Sequence, residues 1–112
     1  SMRQMYTWLA VACLRLKRPQ EVVRYSVLSL RMDRFQDNVL TTVLQILMQE
    51  PGEGEKAEGT WGFLEGLYDL ESARDLLFIL KCARLAKFTA LERRTMNELP
   101  EDIREELSKP EA

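Results

Sequence analysis

Histidine is absent from these 112 residues, and cysteine, proline and glycine are scarce, with two, four and five copies. Without histidine the chain lacks the commonest general base, the usual zinc ligand and every triad that uses an imidazole. It also carries no phosphate-binding loop, dinucleotide-binding fingerprint or nucleophile elbow. We therefore expect no catalytic residue, no cofactor and no metal site, and we predict that the protein is not an enzyme.

The two cysteines and the apolar runs bear on the compartment. Cys13 and Cys82 each lie in an apolar helical stretch, which is typical of buried, reduced thiols rather than of a disulfide framework. No run reaches the roughly 18 apolar residues of a membrane span, and no cleavage site follows the first apolar stretch. We expect an intracellular protein and leave nucleus and cytoplasm open. Ser1 and Met2 resemble a cloning remnant, so we expect a domain cut from a longer protein.

Apolar periodicity predicts the fold class. The longest stretch free of proline and glycine, residues 70–99, repeats apolar side chains at spacings of three and four, which is typical of a helix. Because this stretch is apolar on nearly every side, we place it at the centre of the fold. Its inner face is expected to comprise Ile79, Ala83, Ala86 and Ala90. The prediction is an all-α fold, with a single helical domain over 1–112. It is a compact bundle of about five or six helices around a long central helix at about 71–98.

Shorter signals predict the flanking elements. The first helix, about 3–17, has few polar positions and is expected to be largely buried. Pro19 begins a second helix, and Asp33 caps a third. These two helices, at 19–49, resemble a pair from a helical repeat. Pro100 ends the central helix and begins a short final helix, with Ile103 and Leu107 expected to face inward.

The start of the central helix is also marked by polar residues. Thr60 is a plausible N-cap residue of a short helix that carries Trp61 and Leu64, and either Asp69 or Ser72 can cap the central helix that follows.

An acidic segment and the chain end lack apolar anchors. Residues 49–60 contain proline, three glycines and four glutamates, with Ala57 as their only apolar side chain. We predict a loop there, which is either a solvated linker or a segment that controls partner access. The final residues, 108–112, are expected to fray.

Two surfaces are candidates for binding. The first is a mixed apolar and basic stripe opposite the small residues of the central helix, and its composition resembles an interface unless another helix covers it. Its members are Leu77, Lys81, Arg84, Leu85 and Phe88. The second is a basic patch that could bind phosphates or an acidic peptide, or could simply be a solvated face. Its members are Arg15, Lys17, Arg18, Lys87, Arg93 and Arg94.

These features favour a non-catalytic protein–protein interaction module, a scaffold or adaptor. It would bind a protein partner, such as a helical peptide or a second copy of itself, in an apolar and basic groove beside the central helix. One alternative is a helical nucleic-acid-binding domain that uses the basic patch. Another is a structural segment of a larger helical-repeat scaffold. We expect no membrane partner.

Overall fold

The computed structural model describes residues 1–49 and 53–110, and within these ranges the regular structure is entirely helical. The predicted all-α class is therefore confirmed. The described ranges contain the helices α1 (Met2–Arg15), α2 (Pro19–Met32), α3 (Asp37–Leu47), α4 (Glu53–Glu65), α5 (Ala73–Ala86), α6 (Thr89–Glu98) and α7 (Glu101–Ser108). These seven helices of the described ranges exceed the predicted five or six because the predicted central helix is divided in two.

The prediction of one helix over 71–98 is wrong, because the chain turns between α5 and α6. Lys87 has a φ of 59°, in the left-handed region. Its N–H donates to the carbonyl of Arg84 at 3.1 Å, and the N–H of Phe88 donates to that of Ala83 at 2.9 Å. These two bonds form a Schellman motif, which ends a helix by satisfying its last carbonyls.

The same motif ends α1 at Lys17, whose φ is 57°. The N–H of Lys17 donates to the carbonyl of Leu14, and that of Arg18 donates to Cys13. Glycine or asparagine usually marks such a position because a Cβ disfavours positive φ. Lysine occupies both positions here, so the residue type does not predict that a helix ends after α5.

The predicted loop over 49–60 is also wrong from Glu53 onward, where α4 begins. Ala57, Trp61 and Leu64 are buried at helical spacing, and this face is what holds the helix against the core. Lys56 Nζ donates to the carbonyl of Met48, 2.6 Å away, at the end of α3. Residues 50–52 of the predicted loop lie outside the described residues.

Gly59 tests whether this segment is helical. A Cβ added to Gly59 or to Gly62 in α4 would meet no heavy atom of the described residues within 4 Å. Gly59→Ala should therefore raise the free energy of unfolding by about 0.4–1 kcal/mol, because alanine restricts the unfolded chain and favours the helix. Gly62→Ala is the matched control from a stretch already predicted to be helical. Chemical denaturation of both variants checks this, and a gain for Gly62→Ala alone would argue for a loop at Gly59.

The connection from α2 to α3 differs from the prediction that Asp33 caps the third helix. Pro19 begins α2 as predicted, but α3 begins at Asp37 with Gln36 as its N-cap residue. The carboxylate of Asp33 instead accepts from the N–H of Phe35 at 3.1 Å, and Gln36 Nε2 donates to the Asp33 carbonyl at 2.8 Å. These bonds order the connection, and α2 and α3 pack against each other.

A buried ion pair joins this connection to α5. Asp75 is fully buried, and its carboxylate accepts from Arg34 Nε at 2.9 Å and Nη2 at 3.3 Å. The N–H of Asp69 donates to the same carboxylate at 2.8 Å, and the hydroxyl of Tyr68 donates to the Arg34 carbonyl at 2.6 Å. One buried carboxylate thus ties together the α2–α3 connection, the α4–α5 connection and the first turn of α5.

The main core comprises side chains from α2 to α6 and their connections, and within the described ranges it includes none from α1. Only Ala10 and Cys13 of α1 are buried, because this helix packs chiefly on α2. The expectation that the first helix is largely buried is therefore wrong, and this leaves an apolar helix at the surface.

The C-terminal prediction holds in part. Pro100 is the N-cap residue of α7, and Ile103 is half-buried against the core. Leu107, predicted to face inward, is 39% exposed. Ser108 still belongs to α7, Lys109 and Pro110 are exposed, and residues 111–112 lie outside the described residues.

Candidate functional site

The stripe predicted on the central helix is only partly a surface. Leu77, Lys81, Arg84 and Leu85 lie on one exposed side of α5, with Leu77 37% and Leu85 55% exposed. Phe88 is only 3% exposed, because the turn at the end of α5 directs it into the core. The prediction is therefore wrong for Phe88, and the stripe loses its aromatic side chain.

The cations of this stripe are neutralised by acids from other helices. Lys81 Nζ lies 3.2 Å from Asp37 Oδ2 at the start of α3, and Arg84 Nε lies 3.1 Å from Glu92 Oε1 in α6. The hydrogen bond and charge of Lys81 hold the pKa of the Asp37 carboxyl below its usual range. The exposed side of α5 is thus mixed in charge rather than basic.

The opposite side of α5 matches the prediction. Ile79, Ala83 and Ala86 are buried and form its inner face, whereas Ala90 is half-buried on α6. Cys82 lies among them, and burial raises the pKa of its thiol to about 11. This thiol is protonated at neutral pH and a poor nucleophile.

The helix contacts do not bring the residues of the predicted basic patch together on one surface. Its first half, Arg15, Lys17 and Arg18, is exposed at the end of α1, which packs chiefly on α2. Its second half lies around α6, which packs on α5 and α4. Lys87 and Arg93 there are exposed. The structure thus places the two halves on different helix pairs.

Arg94 is a packing residue rather than a free cation. Its Nε lies 2.9 Å from Glu58 Oε1, and its Nη1 pairs with Glu98. Its guanidinium carbon also lies 4.5 Å from the centre of the buried Trp61 ring, at cation–π distance. These contacts link α4 to α6, so Arg94 is committed within the fold.

Sequence reasoning missed the surface of α1. Seven large apolar side chains on this helix and its C-cap residue are each 37–69% exposed: Met2, Met5, Trp8, Leu9, Val11, Leu14 and Leu16. Trp8 is the most exposed of them, at 69%. Exposed apolar area of this extent is uncommon on soluble monomers, so this helix becomes a candidate interaction surface. The available signal was the small number of polar residues in this segment, which we interpreted as burial.

The position of α1 is nevertheless fixed. Ser1 and Gln4 form a capping box at its first turn. The hydroxyls of Thr7 and Ser29 lie 2.8 Å apart, and Arg3 Nη1 donates to Gln36 Oε1 at 3.1 Å. The exposed apolar surface is therefore presented by an ordered helix that polar contacts hold against α2.

The exposed side chains of α1 are apolar, so this surface can interact with another molecule by burying apolar area. Among residues 1–49 and 53–110, no cluster of three or more His, Cys, Asp or Glu side chains could hold a metal ion. None of the described helices is both long and apolar enough to cross a bilayer.

Comparison of the chain with protein-family models, with curated proteins and with solved structures finds no match.

Proposed function

We propose that this chain is a non-catalytic protein–protein interaction module that binds its partner through the exposed apolar surface of α1. The observation that carries the proposal is the set of seven exposed apolar side chains on the ordered helix α1 and its C-cap residue. Burying such side chains releases roughly 25 cal/mol per Å² of apolar area, which is the main driving force of protein association. Trp8, the most exposed of them, belongs to one of the three residue types enriched at binding hot spots.

The α1 surface is a better candidate than the exposed side of α5. On α5 only Leu77 and Leu85 remain as large exposed apolar side chains, and the neighbouring cations pair within the chain. A partner that bound there would meet Lys81 and Arg84 already paired with acids of this chain. New ion pairs with the partner would therefore add little affinity. The interaction module predicted from the sequence is thus retained, with its binding surface moved from α5 to α1.

Two matched variants test this proposal by affinity capture from cell extract with quantitative mass spectrometry. One variant changes α1 (Trp8→Gln with Leu9→Gln), and the other changes α5 (Arg84→Glu with Leu85→Gln). We expect proteins captured by the parent chain to be lost at least tenfold with the α1 variant and retained with the α5 variant. Because all four residues are at the surface, both variants should unfold within about 1 kcal/mol of the parent.

The most strongly captured protein should then be purified and titrated against all three chains. Equal affinity for the parent and the α1 variant would refute the assignment of the surface. Loss with the α5 variant alone would restore the site first predicted from the sequence. Light scattering of the isolated chain separates a distinct partner from a second copy of the same chain.

A further inference from the structure

A cleft runs along one edge of the exposed α1 surface. Its volume is about 120 Å³, and it lies between α1, α2 and the start of α3. Val11 and Leu14 of α1 lie on its wall beside Thr7 and Ala10, and they are 42% and 48% exposed. The remaining lining residues belong to α2 and α3, and no lining residue is charged.

The size of this cleft matches one large apolar side chain. A cavity of about 150 Å³ lined by aliphatic side chains accommodates benzene, so about 120 Å³ suits a leucine or a phenylalanine. Side chains that fill such pockets at the centre of an interface contribute most of its binding energy. Trp8 lies one turn before Val11 on the same side of α1, so it extends the apolar wall beyond the cleft.

Basic residues follow the Leu14 end of the cleft. Arg15, Lys17 and Arg18 come directly after Leu14 in the chain and are exposed. Among the described residues, only Arg18 of these three forms an ion pair, at 4.0 Å from Glu21.

The charge of the whole chain is divided in the same way. Residues 1–32 carry six Lys or Arg and one acid, whereas residues 33–112 carry ten Lys or Arg and 17 acids. The α1–α2 pair is therefore a cationic surface on a chain whose net charge is −2. Its electrostatic complement is acidic.

We propose that this cleft receives one large apolar side chain of an acidic amphipathic helix that belongs to a partner protein. The acidic end of that helix lies over Arg15, Lys17 and Arg18. The inference rests on the proposed function and adds to it the chemistry of the partner. A helix is the natural occupant because an apolar cleft between packed helices can receive a side chain from the ridge of another helix, with further anchors at spacings of three and four.

The test is selection from a display library of amphipathic peptides of about 18 residues, long enough to be helical in isolation. Surface positions are randomised among Glu, Lys, Ala and Leu, and the whole chain is the bait. We expect the selected peptides to be rich in Glu and to contain a leucine whose change to alanine weakens binding at least tenfold. Their affinity should fall as salt is raised, because exposed charge pairs are screened.

Four double variants of the chain map the site by fluorescence anisotropy with a selected peptide. One of them, Leu9→Glu with Leu16→Glu, changes the far side of α1 and serves as a control for the cleft. Val11→Glu with Leu14→Glu, and separately Arg15→Glu with Lys17→Glu, should each weaken binding at least tenfold. Lys87→Glu with Arg93→Glu makes the same charge change as the Arg15 and Lys17 variant, but around α6, and should weaken binding less than threefold. Circular dichroism of each variant confirms that the fold is retained.

Three results would overturn the proposal. These are selection of Lys-rich peptides, absence of any selected peptide, and a loss of peptide binding with the Lys87 and Arg93 variant that equals the loss with the Arg15 and Lys17 variant.

Other results would replace the site or its occupant. Loss of binding only with Leu9→Glu and Leu16→Glu would move the site to the far side of α1 and leave the proposed function standing. Binding of phosphatidylserine vesicles or of an oligonucleotide in place of the peptide, abolished by the same Arg15 and Lys17 changes, would replace the acidic helix with another class of ligand. Self-association abolished by the Val11 and Leu14 changes would identify a second copy as the occupant.

Discussion

Phe88→Ala is expected to lower the free energy of unfolding by about 3–5 kcal/mol, the usual cost of truncating a buried phenylalanine. The Phe88 side chain is 3% exposed and belongs to the main core. Truncation removes its contacts and leaves a cavity that the surrounding helices fill only in part. Urea or guanidinium denaturation, monitored by circular dichroism, measures the change.

Leu85→Ala is the matched control for this prediction. Leu85 is three residues earlier and is 55% exposed, so its truncation should change the free energy of unfolding by less than about 1 kcal/mol. If α5 and α6 formed one continuous helix with Phe88 on its outer side, the two variants would behave alike. A small effect of Phe88→Ala would therefore contradict both the turn at Lys87 and the burial of this ring.

Arg34→Ala is expected to lower the free energy of unfolding by about 2–3 kcal/mol at pH 7. It removes the cation that pairs with Asp75, whose side chain is fully buried. Breaking a fully buried ion pair from one side costs roughly 3–5 kcal/mol, and a smaller cost is expected here because Arg34 itself is 43% exposed. Thermal and chemical denaturation of the variant measure the loss.

Arg74→Ala is the control that isolates the ion pair. The guanidinium carbons of Arg34 and Arg74 both lie 4.4 Å from the centre of the Phe35 ring. Only Arg34 among these two donates to Asp75. The two variants thus lose a similar cation–π contact, and their difference reports the bond to Asp75. Equal destabilisation would contradict the role assigned to this pair.

The same pair predicts the direction of a pH dependence. Burial alone would raise the pKa of the Asp75 carboxyl, but the hydrogen bonds from Arg34 and from the N–H of Asp69 outweigh it and hold the pKa below its usual range. A depressed folded-state pKa contributes stability that is complete above the unfolded-state value of about 3.9 and is lost as the pH falls toward the folded-state value. The difference between the parent and Arg34→Ala should therefore shrink below about pH 4. A constant difference down to pH 2 would show that Asp75 is not the titrating partner.

The sequence by itself determined the helical class and several helix boundaries. Spacings of three and four predict helices wherever one side of a segment must be buried, and no strand pattern competes with them. Pro19 and Pro100 mark helix starts because proline tolerates the first turn and disfavours helical geometry in the residue before it. Ser72 was predicted as one of two candidate caps of α5, and its hydroxyl accepts from the Asp75 N–H at 3.4 Å. These are local effects, which need no knowledge of the partner helices.

The tertiary structure alone decided which apolar sides are covered. The sequence shows that α1 is apolar around most of its circumference, but whether another helix covers it depends on where α2 to α6 place their shared core. In the same way, Ala57 and Trp61 hold α4 because the core offers them a surface, although glycines and acids surround Ala57 in the sequence. The left-handed turn at Lys87 is sustained by burial of Phe88, which outweighs the roughly 1–2 kcal/mol that positive φ costs a lysine. Acids from α3 and α6 neutralise the basic side of α5, and only the packing of distant segments brings such charges together.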